Sequence, residues 1–280
     1  MKKYYLTLVI TVTTILTASA QWGEKISWKL QNDTLIIISG VPETLIDYKK
    51  YEVRFDNRIL HKWGFETFDD IWEPKKANHV VINEGVKEIG EGGFGNFFLK
   101  TVRIPNSVTH IGKGAFFDCE FLESIEIPSS IEKIEEFTFF NCIKLKEITI
   151  PSNIKSIADN AFYLNALETI NVEIENKNYC SIDGVLYNKN VTELVLCPNK
   201  KQGSVKIPES VTKIGNYAIY NCVMTDLYVL WENPPVANDN IFGDSKSKCK
   251  IETLHIPIGT KKIYQQAGWT KYFKKIVERK

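Results

Sequence analysis

The sequence predicts a β-rich solenoid, in which short parallel strands stack turn upon turn along one axis. One observation is a repeat: RIPNSVTHIGKGAFFDC at 103–119 returns as EIPSSIEKIEEFTFFNC at 126–142 and as TIPSNIKSIADNAFYLN at 149–165. A second is the spacing of these copies, about 23 residues, which is typical of solenoids with one strand and one return in each turn. A third is that one copy cannot enclose its own apolar residues, whereas stacked copies bury them in a shared core.

Residues 1–20 predict a secretory leader rather than part of this fold. Lys2 and Lys3 precede an apolar run, and Ala18-Ser19-Ala20 provides a cleavage site of the A-x-A type. A retained membrane anchor is the alternative, but the apolar run is short and rich in threonine. We therefore expect an exported chain that begins at Gln21, with no membrane span after the leader is removed.

Residues 21–79 are expected to form an N-terminal β cap. The stretch WKLQNDTLIIISG predicts a hairpin that turns at Asn32-Asp33. The tryptophans all lie in the two ends of the chain: Trp22, Trp28, Trp63, Trp72, Trp231 and Trp269. Large aromatic residues suit a cap because they bury much surface where the outermost turn would otherwise be open. An aromatic sugar-binding platform at Trp63 and Trp72 is the alternative.

Residues 80–171 and 207–230 contain the regular turns. In each copy two isoleucines alternate with polar residues, as Ile125 and Ile127 do, which predicts a short strand with one buried face. The proline that follows, Pro128 in this copy, lacks an N–H and is expected to end the strand pairing. We expect Phe137, Phe139 and Leu145 to fill the interior on the return.

Six cysteines in an exported chain raise the question of disulfides. Cys119, Cys142 and Cys222 occupy the same position in different copies, so we expect them to be small buried residues. Cys180, Cys197 and Cys249 lie elsewhere. A bridge between Cys180 and Cys197 is the alternative to free thiols, which we prefer.

Charged residues directly follow the leucine of each copy: Lys100, Glu123, Lys146 and Glu168. Because stacked strands lie roughly 4.8 Å apart, each of these charges would neighbour its opposite in the next turn. Exposed pairs of this kind contribute about 0.2–1 kcal/mol each. We therefore interpret this column as keeping the turns in register and not as a ligand site.

Residues 172–206 interrupt the repeat, and residues 231–280 end it. Asp183-Gly184 and Asn188-Lys189-Asn190 predict the two turns of a small β-meander inserted into the stack. Residues 231–280 begin with a proline-rich stretch and are expected to form a C-terminal cap. The whole of 21–280 would then be one continuous solenoid domain.

These segments together resemble the BspA-like leucine-rich repeats, whose consensus I-P-x-S-V-T-x-I-G-x-x-A-F-x-x-C-x-x-L is matched by IPNSVTHIGKGAFFDCEFL. SIDGVLYNKNVTELVLCP is similar to a hairpin module that interrupts many members. LHIPIGTKKIYQQAGWTKYFKKIVE resembles their C-terminal cap, and WKLQNDTLIIISG their N-terminal cap. One departure is Leu164-Asn165, which stands where the family has Asn-Cys. The resemblance implies a right-handed leucine-rich-repeat stack of short parallel strands, with turns or short helices on the returns.

The same resemblance implies a loosely defined function. Members are mostly exported or surface-displayed proteins that attach to host proteins or to other cells, and the family has no catalytic motif. We therefore expect a monomeric binding protein, secreted or at the cell surface, with the periplasm as an alternative location. Its partner would be a host-matrix or cell-surface protein. A glycan-binding or envelope-structural module is the alternative function.

The residues themselves predict no enzyme, cofactor or metal site. The histidines His61, His79, His110 and His255 stand apart from one another, and we expect His110 and His255 to be exposed residues of the turns. The sequence contains no G-x-S-x-G, H-E-x-x-H or G-x-x-x-x-G-K motif. A net charge of +1 provides no general attraction to nucleic acid.

The candidate site is the outward face of the stacked strands, where residues vary from copy to copy. Its members are Arg103, Glu126, Thr149, Asn171, Lys206, Tyr228 and His255. A second charged feature is the basic end of the chain: Lys261, Lys262, Lys271, Lys274, Lys275, Arg279 and Lys280, against Glu278. A solvated helical surface explains this end, and electrostatic capture of an anionic partner is the alternative.

Overall fold

The computed structural model describes residues 78–242 and 251–280, together with the backbone of three strands nearer the N terminus. These are β1 (Ile15–Leu16), β2 (Ile26–Gln31) and β3 (Thr34–Ser39). β2 and β3 pair antiparallel with Gln31 opposite Thr34, so the predicted hairpin at Asn32-Asp33 is confirmed. β1 pairs with β2 and lies inside the predicted leader, whose cleavage stays a prediction. Trp63, Trp72, His61 and Cys249 lie outside the described residues.

Short strands make up most of the remaining chain. They are β4 (His79–Ile82), β5 (Glu88–Ile89), β6 (Thr101–Arg103), β7 (His110–Ile111), β8 (Ser124–Ile125), β9 (Lys133–Ile134), β10 (Glu147–Ile150), β11 (Ser156–Ile157), β12 (Thr169–Val172), β13 (Tyr179–Ile182), β14 (Val185–Asn188), β15 (Glu193–Leu196), β16 (Ser204–Lys206), β17 (Lys213–Ile214), β18 (Asp226–Tyr228), β19 (Thr253–Pro257) and β20 (Lys275–Arg279). The helices are α1 (Asp239–Phe242), α2 (Lys261–Gln266) and a 3-10 helix, Trp269–Tyr272.

The strands form two rows of parallel pairs, as a solenoid requires. The first row contains β3–β4–β6–β8, then β10–β12, then β16–β18–β19–β20. The second row contains β5–β7, β9–β11 and β15–β17. Prolines separate the rows: the carbonyl of Pro105 accepts the N–H of Val108, and Pro128 and Ile131 repeat this turn. The predicted β-rich solenoid is confirmed.

The interior is a set of side-chain columns, one residue from each turn. Phe94, Phe116, Phe139 and Phe162 stack at 5.7, 5.7 and 5.4 Å between ring centroids and are buried. The repeated leucines form a second buried column beside them. Because each ring is covered by rings from adjacent turns, the turns stabilise one another and no turn has a separate core.

The cysteine column is confirmed as buried free thiols. Cys119, Cys142, Cys180, Cys197 and Cys222 are all unbridged. The Cys119 thiol donates to the carbonyl of Phe94 at 3.0 Å, and Cys142 donates to Phe116 at 3.3 Å, so each thiol contacts the preceding turn. Burial raises the pKa of the Cys119 thiol to about 12.

One turn has Asn165 at the position where other turns have Cys119, Cys142 and Cys222. Its amide is buried, donates to the carbonyl of Phe162 and accepts the N–H of Leu167 at 3.0 Å. Both ends of the side chain therefore bond to backbone groups of its own turn, as a buried amide requires.

The insert is the antiparallel meander that the sequence predicts. β13 pairs with β14 and β14 with β15, while β15 joins the second row beside β17. Asp183 and Gly184 form its first turn with φ of 50° and 76°, and the carbonyl of Gly184 accepts the N–H of Ile170. A Cβ at Gly184 would lie 2.4 Å from Oγ1 of Thr169, so only glycine allows this approach.

The C-terminal cap is built around buried aromatic residues. Trp269 is buried and its Nε1 donates to the carbonyl of Pro235 at 2.7 Å, while the Tyr264 hydroxyl donates to Trp231 at 2.9 Å. Phe242 stacks on Tyr272 at 4.4 Å. The structural role expected for these two tryptophans is therefore confirmed. Across the described ranges, none of the helices has the length and hydrophobicity to span a bilayer.

Candidate functional site

We call the outward-facing residues of the first-row strands the strand face. Of its predicted members, five are exposed: Arg103, Glu126, Thr149, Asn171 and Lys206. Strand register makes Thr149 a direct neighbour of Asn171, and Lys206 a direct neighbour of Tyr228. Four of the five exposed side chains therefore stand on hydrogen-bonded strands, which lie close to 4.8 Å apart, and Glu126 directly follows β8.

The insert divides the strand face into two parts. The turn at Gly184 bonds to Ile170 of β12, on the side where the next first-row strand would pair. Among the described strands, β12 pairs only with β10, and β16 only with β18. The row is therefore broken between Asn171 and Lys206, where the insert lies, and a further break between β8 and β10 has no insert beside it.

His255 is buried, so the expectation that it is exposed is wrong. Only 4% of the residue is accessible, its ring stacks on Tyr228 at 4.1 Å with an interplanar angle of 8°, and its Nε2 lies 2.7 Å from Oδ1 of Asp226. The cause is that β20 pairs alongside β19 and extends the sheet past the histidine, with Val277 as its neighbour. His255 therefore supports Tyr228 and does not itself present a surface to a partner.

The other histidine expectation is confirmed. His110 is exposed, and its Nε2 lies 3.8 Å from Oε1 of Glu88 in the preceding turn. This contact belongs to the second row of strands and not to the strand face.

Arg279 also belongs to the strand face, although the sequence pattern assigned this residue only to the basic end of the chain. Its guanidinium lies over the Tyr228 ring, 5.5 Å from the centroid. Hydrogen bonds from His255 and Thr225 lower the pKa of the Asp226 carboxyl, which keeps a negative charge beside this cluster. The alternation in KIVER is the sequence signal for β20, but it does not show which residue Arg279 would reach.

Ion pairs between turns lie beside the strand face and on the second row. Lys146 meets Glu168 at 3.1 Å, which confirms one pair of the predicted alternating column. Three further bridges join adjacent turns: Lys113–Glu136, Lys155–Glu132 and Lys213–Glu193. These charges are matched within the molecule, as expected of contacts that keep register.

The basic end of the chain is partly neutralised. Lys271 bonds to Asp239 at 3.2 Å, and Lys274 lies 3.4 Å from Glu252. Glu278 accepts the backbone N–H groups of Gly259 and Lys261 at the start of α2. The patch that could attract an anion is therefore smaller than the sequence suggests. In the part of the chain that the structure describes, no group of three or more His, Cys, Asp or Glu could hold a metal ion.

Comparisons with known proteins agree with this architecture. The model of the BspA type leucine rich repeat region matches six copies, over residues 69–192 and 196–272. A leucine-rich repeat protein from Eubacterium ventriosum superposes with a TM-score of 0.56 and 23% identity, covering 85% of this chain and 72% of that one. The pneumococcal vaccine antigen PcpA superposes with a TM-score of 0.56 and 18% identity, covering 88% and 82%. No curated protein matches the sequence.

Proposed function

The chain belongs to the BspA type leucine-rich repeat family, and we propose that it is an exported, non-catalytic protein that binds a protein partner through the strand face. The observation that carries this proposal is the row of five exposed, chemically varied side chains, four of them on paired strands. Varied side chains on a rigid sheet can bind a partner surface selectively without the entropic cost of ordering loops.

The proposed partner is a host-matrix or cell-surface protein. Arg103 and Tyr228 are the expected anchors, because arginine and tyrosine dominate the energetics of protein interfaces. Tyr228 is half-buried, supported by His255 beneath it and by Arg279 over its ring, so it enters an interface already ordered. Because the imidazole covers one ring face, Tyr228 is a poor platform for a flat sugar ring.

The experiment is a binding screen of the chain from residue 21 to 280 against immobilised matrix proteins, beside a glycan array. We expect a matrix protein to be retained, and Arg103→Ala and Tyr228→Ala each to weaken its binding at least tenfold, about 1.4 kcal/mol. Lys155→Ala is the matched control, because Lys155 is an exposed residue on the second row. Retention of polysaccharides alone would instead favour the glycan-binding alternative and end the adhesin proposal.

Export has its own test. Intact mass of the protein recovered outside the cells should correspond to a chain that begins at Gln21. A recovered chain that still contains Lys2 and Lys3 would contradict the predicted cleavage.

A further inference from the structure

The returns of the solenoid carry a second surface, which we call the aromatic strip. It consists of Phe117, Phe137, Phe140, Tyr163, Tyr217 and Tyr220. Phe117, Phe140, Tyr163 and Tyr220 follow one another along the stack, with centroid distances of 4.7, 5.7 and 4.6 Å. Phe137 and Tyr217 flank this column, 5.8 Å from Phe140 and 5.1 Å from Tyr163. The strip is thus an unbroken run of rings over four turns.

The strip lies outside the hydrophobic core. The interior column of phenylalanines fills the space inside the returns, and none of the six rings belongs to it. Phe137 is 39% exposed, so the expectation that it fills the interior is wrong, and the other five rings are half-buried. Phe98, Phe121 and Ile143 are further exposed apolar residues of the returns, at 52%, 43% and 46%, and Phe98 contacts Phe121. Single exposed apolar residues are ordinary, whereas partly exposed rings in contact along four turns form a continuous apolar surface of the kind that marks an interaction site.

Two of the rings stand on an unfavourable backbone. Phe137 has φ of 56° and Tyr217 has φ of 59°, in the left-handed region that disfavours any residue with a Cβ. At the same position of the repeat, two other turns have Gly92 and Gly114, with φ of 66° and 58°. A further turn has Asn160 at this position, outside the left-handed region, so the fold does not require this conformation, and glycine adopts it without strain. Because Phe137 is exposed, burial does not offset its strain, and strain that the fold does not need points to function.

Three carboxylates beside the strip are held by side-chain amides rather than by lysines. Asp118 bonds to the amide of Asn141 at 2.8 Å, and Asp159 to the amide of Asn216 at 2.8 Å. Glu120 is the third such carboxylate, 3.4 Å from the amide of Asn141. An amide orders a carboxylate but does not neutralise it, whereas other carboxylates meet lysines, as Glu136 beside Phe137 meets Lys113 and Glu168 meets Lys146. Lys213 lies within electrostatic reach of Asp159, so Asp118 and Glu120 are the main negative charges of the strip.

We propose that the aromatic strip binds a cationic, amphipathic segment of a second protein. Apolar side chains of that segment contact the exposed ring edges, and its arginines or lysines pair with Asp118, Glu120 and Asp159. Phe117 and Tyr163 cover the two faces of Phe140, which leaves edges rather than faces open and disfavours stacking of a sugar. A two-fold dimer through this surface would bring a second set of the same carboxylates and no excess of lysines, because an isologous contact pairs a patch with itself.

The test uses the chain from 21 to 280 and three fluorescein-labelled dodecapeptides: alternating Leu-Arg, alternating Leu-Glu and alternating Ser-Arg. We expect the Leu-Arg peptide to bind at least tenfold more tightly than either of the others, and more weakly as salt is added. Equal binding of Ser-Arg would mean that the rings do not contribute. Equal binding of Leu-Glu would mean that the carboxylates do not. Either result overturns the proposal.

Glycine variants separate binding from folding. Phe137→Gly combined with Tyr217→Gly should reduce binding of the Leu-Arg peptide at least tenfold, while the urea midpoint stays the same or rises. A lower midpoint would mean that the rings serve the fold and would overturn the proposal. A dimer in sedimentation that the double variant dissociates would overturn it too, with a second copy as the occupant. Arg103→Ala should leave peptide binding unchanged, so a failure of this surface is distinguishable from a failure of the strand face.

Discussion

The strand face and the aromatic strip run along the same stack, but the insert affects them differently. On the strand face, the turn at Gly184 bonds to β12 and the row is divided. On the returns, Tyr163 and Tyr220 stack at 4.6 Å although the whole insert lies between them in the sequence. An insertion into a solenoid can therefore interrupt the strand row on one side of the stack while the returns on the other side keep their periodic stacking.

The pairing of β15 explains this asymmetry. Once β15 lies beside β17, the chain has re-entered the second row, and the return that follows stacks on the earlier returns. On the core side, Leu186 and Leu196 pack with the N-terminal turns, whereas Val185 and Tyr187 pack with the C-terminal turns. The insert therefore joins two cores while it separates two parts of a surface.

The largest loss of stability is expected for a change in the interior column of phenylalanines, which supports both surfaces. Phe139→Ala removes a buried ring that stacks on Phe116 and Phe162, and should lower the free energy of unfolding by about 3–5 kcal/mol. Urea denaturation measures this change. Phe137→Gly, two residues away, is the control and should not destabilise the chain. Similar losses for both variants would mean that the strip belongs to the core.

The next largest loss of stability is expected for a change at the Gly184 turn, which contacts β12 and interrupts the strand face. Gly184→Ala places a methyl group against Thr169 and keeps a positive φ, so it should cost about 1–3 kcal/mol. We expect the amide of Ile170 to lose hydrogen-exchange protection, while stacking of Tyr163 on Tyr220 keeps the return intact. Gly203→Ala is a control, because its positive φ of 74° is combined with open space around the Cβ. Equal costs for the two variants would assign the effect to φ alone.

A smaller, pH-dependent effect is expected for Asp226→Asn. The pKa of the wild-type carboxyl is lowered in the folded state, so its charge stabilises the fold above the unfolded pKa, about 3.9. That contribution is lost as the pH falls through the lower, folded value. Urea midpoints of wild type and variant should therefore differ at pH 7 and converge in acid. A difference that is constant with pH would contradict a role for the charge.

The smallest loss of stability is expected for a change in the charged column that contains Lys146 and Glu168. Lys146→Ala should cost only about 0.2–1 kcal/mol, because its ion pair with Glu168 is exposed. Exchanging the two charges, with Lys146→Glu and Glu168→Lys, should restore the urea midpoint. Binding of a matrix protein should not change in either variant. A large loss of binding would instead make the column part of the site.

The periodic part of the molecule was predictable from the sequence, and the reason is physical. Isoleucines before each proline, and phenylalanines and cysteines after it, recur at one spacing, so a single register placed Phe139 and Cys142 in the interior. The interior position predicted for Phe137 is wrong, because apolar character alone does not distinguish this exposed ring from the buried Phe139. The hairpin at Asn32-Asp33 and the turn at Asp183-Gly184 followed from local turn chemistry.

The non-periodic part was not predictable in this way. The burial of His255 depends on β20, which pairs from a cap whose sequence does not follow the repeat. The same pairing brings Arg279 to Tyr228. Contact between Tyr163 and Tyr220 depends on how far the insert extends along the axis of the stack. That distance cannot be predicted from a local sequence pattern.

The most direct test of the account measures whether the two surfaces act independently. The dissociation constant of the matrix protein found in the binding screen would be determined by calorimetry with the free chain and with the chain saturated by the Leu-Arg peptide. We predict the same dissociation constant in both titrations, and a loss with Tyr228→Ala in both. Competition between the two ligands would contradict the assignment of partner binding to the strand face.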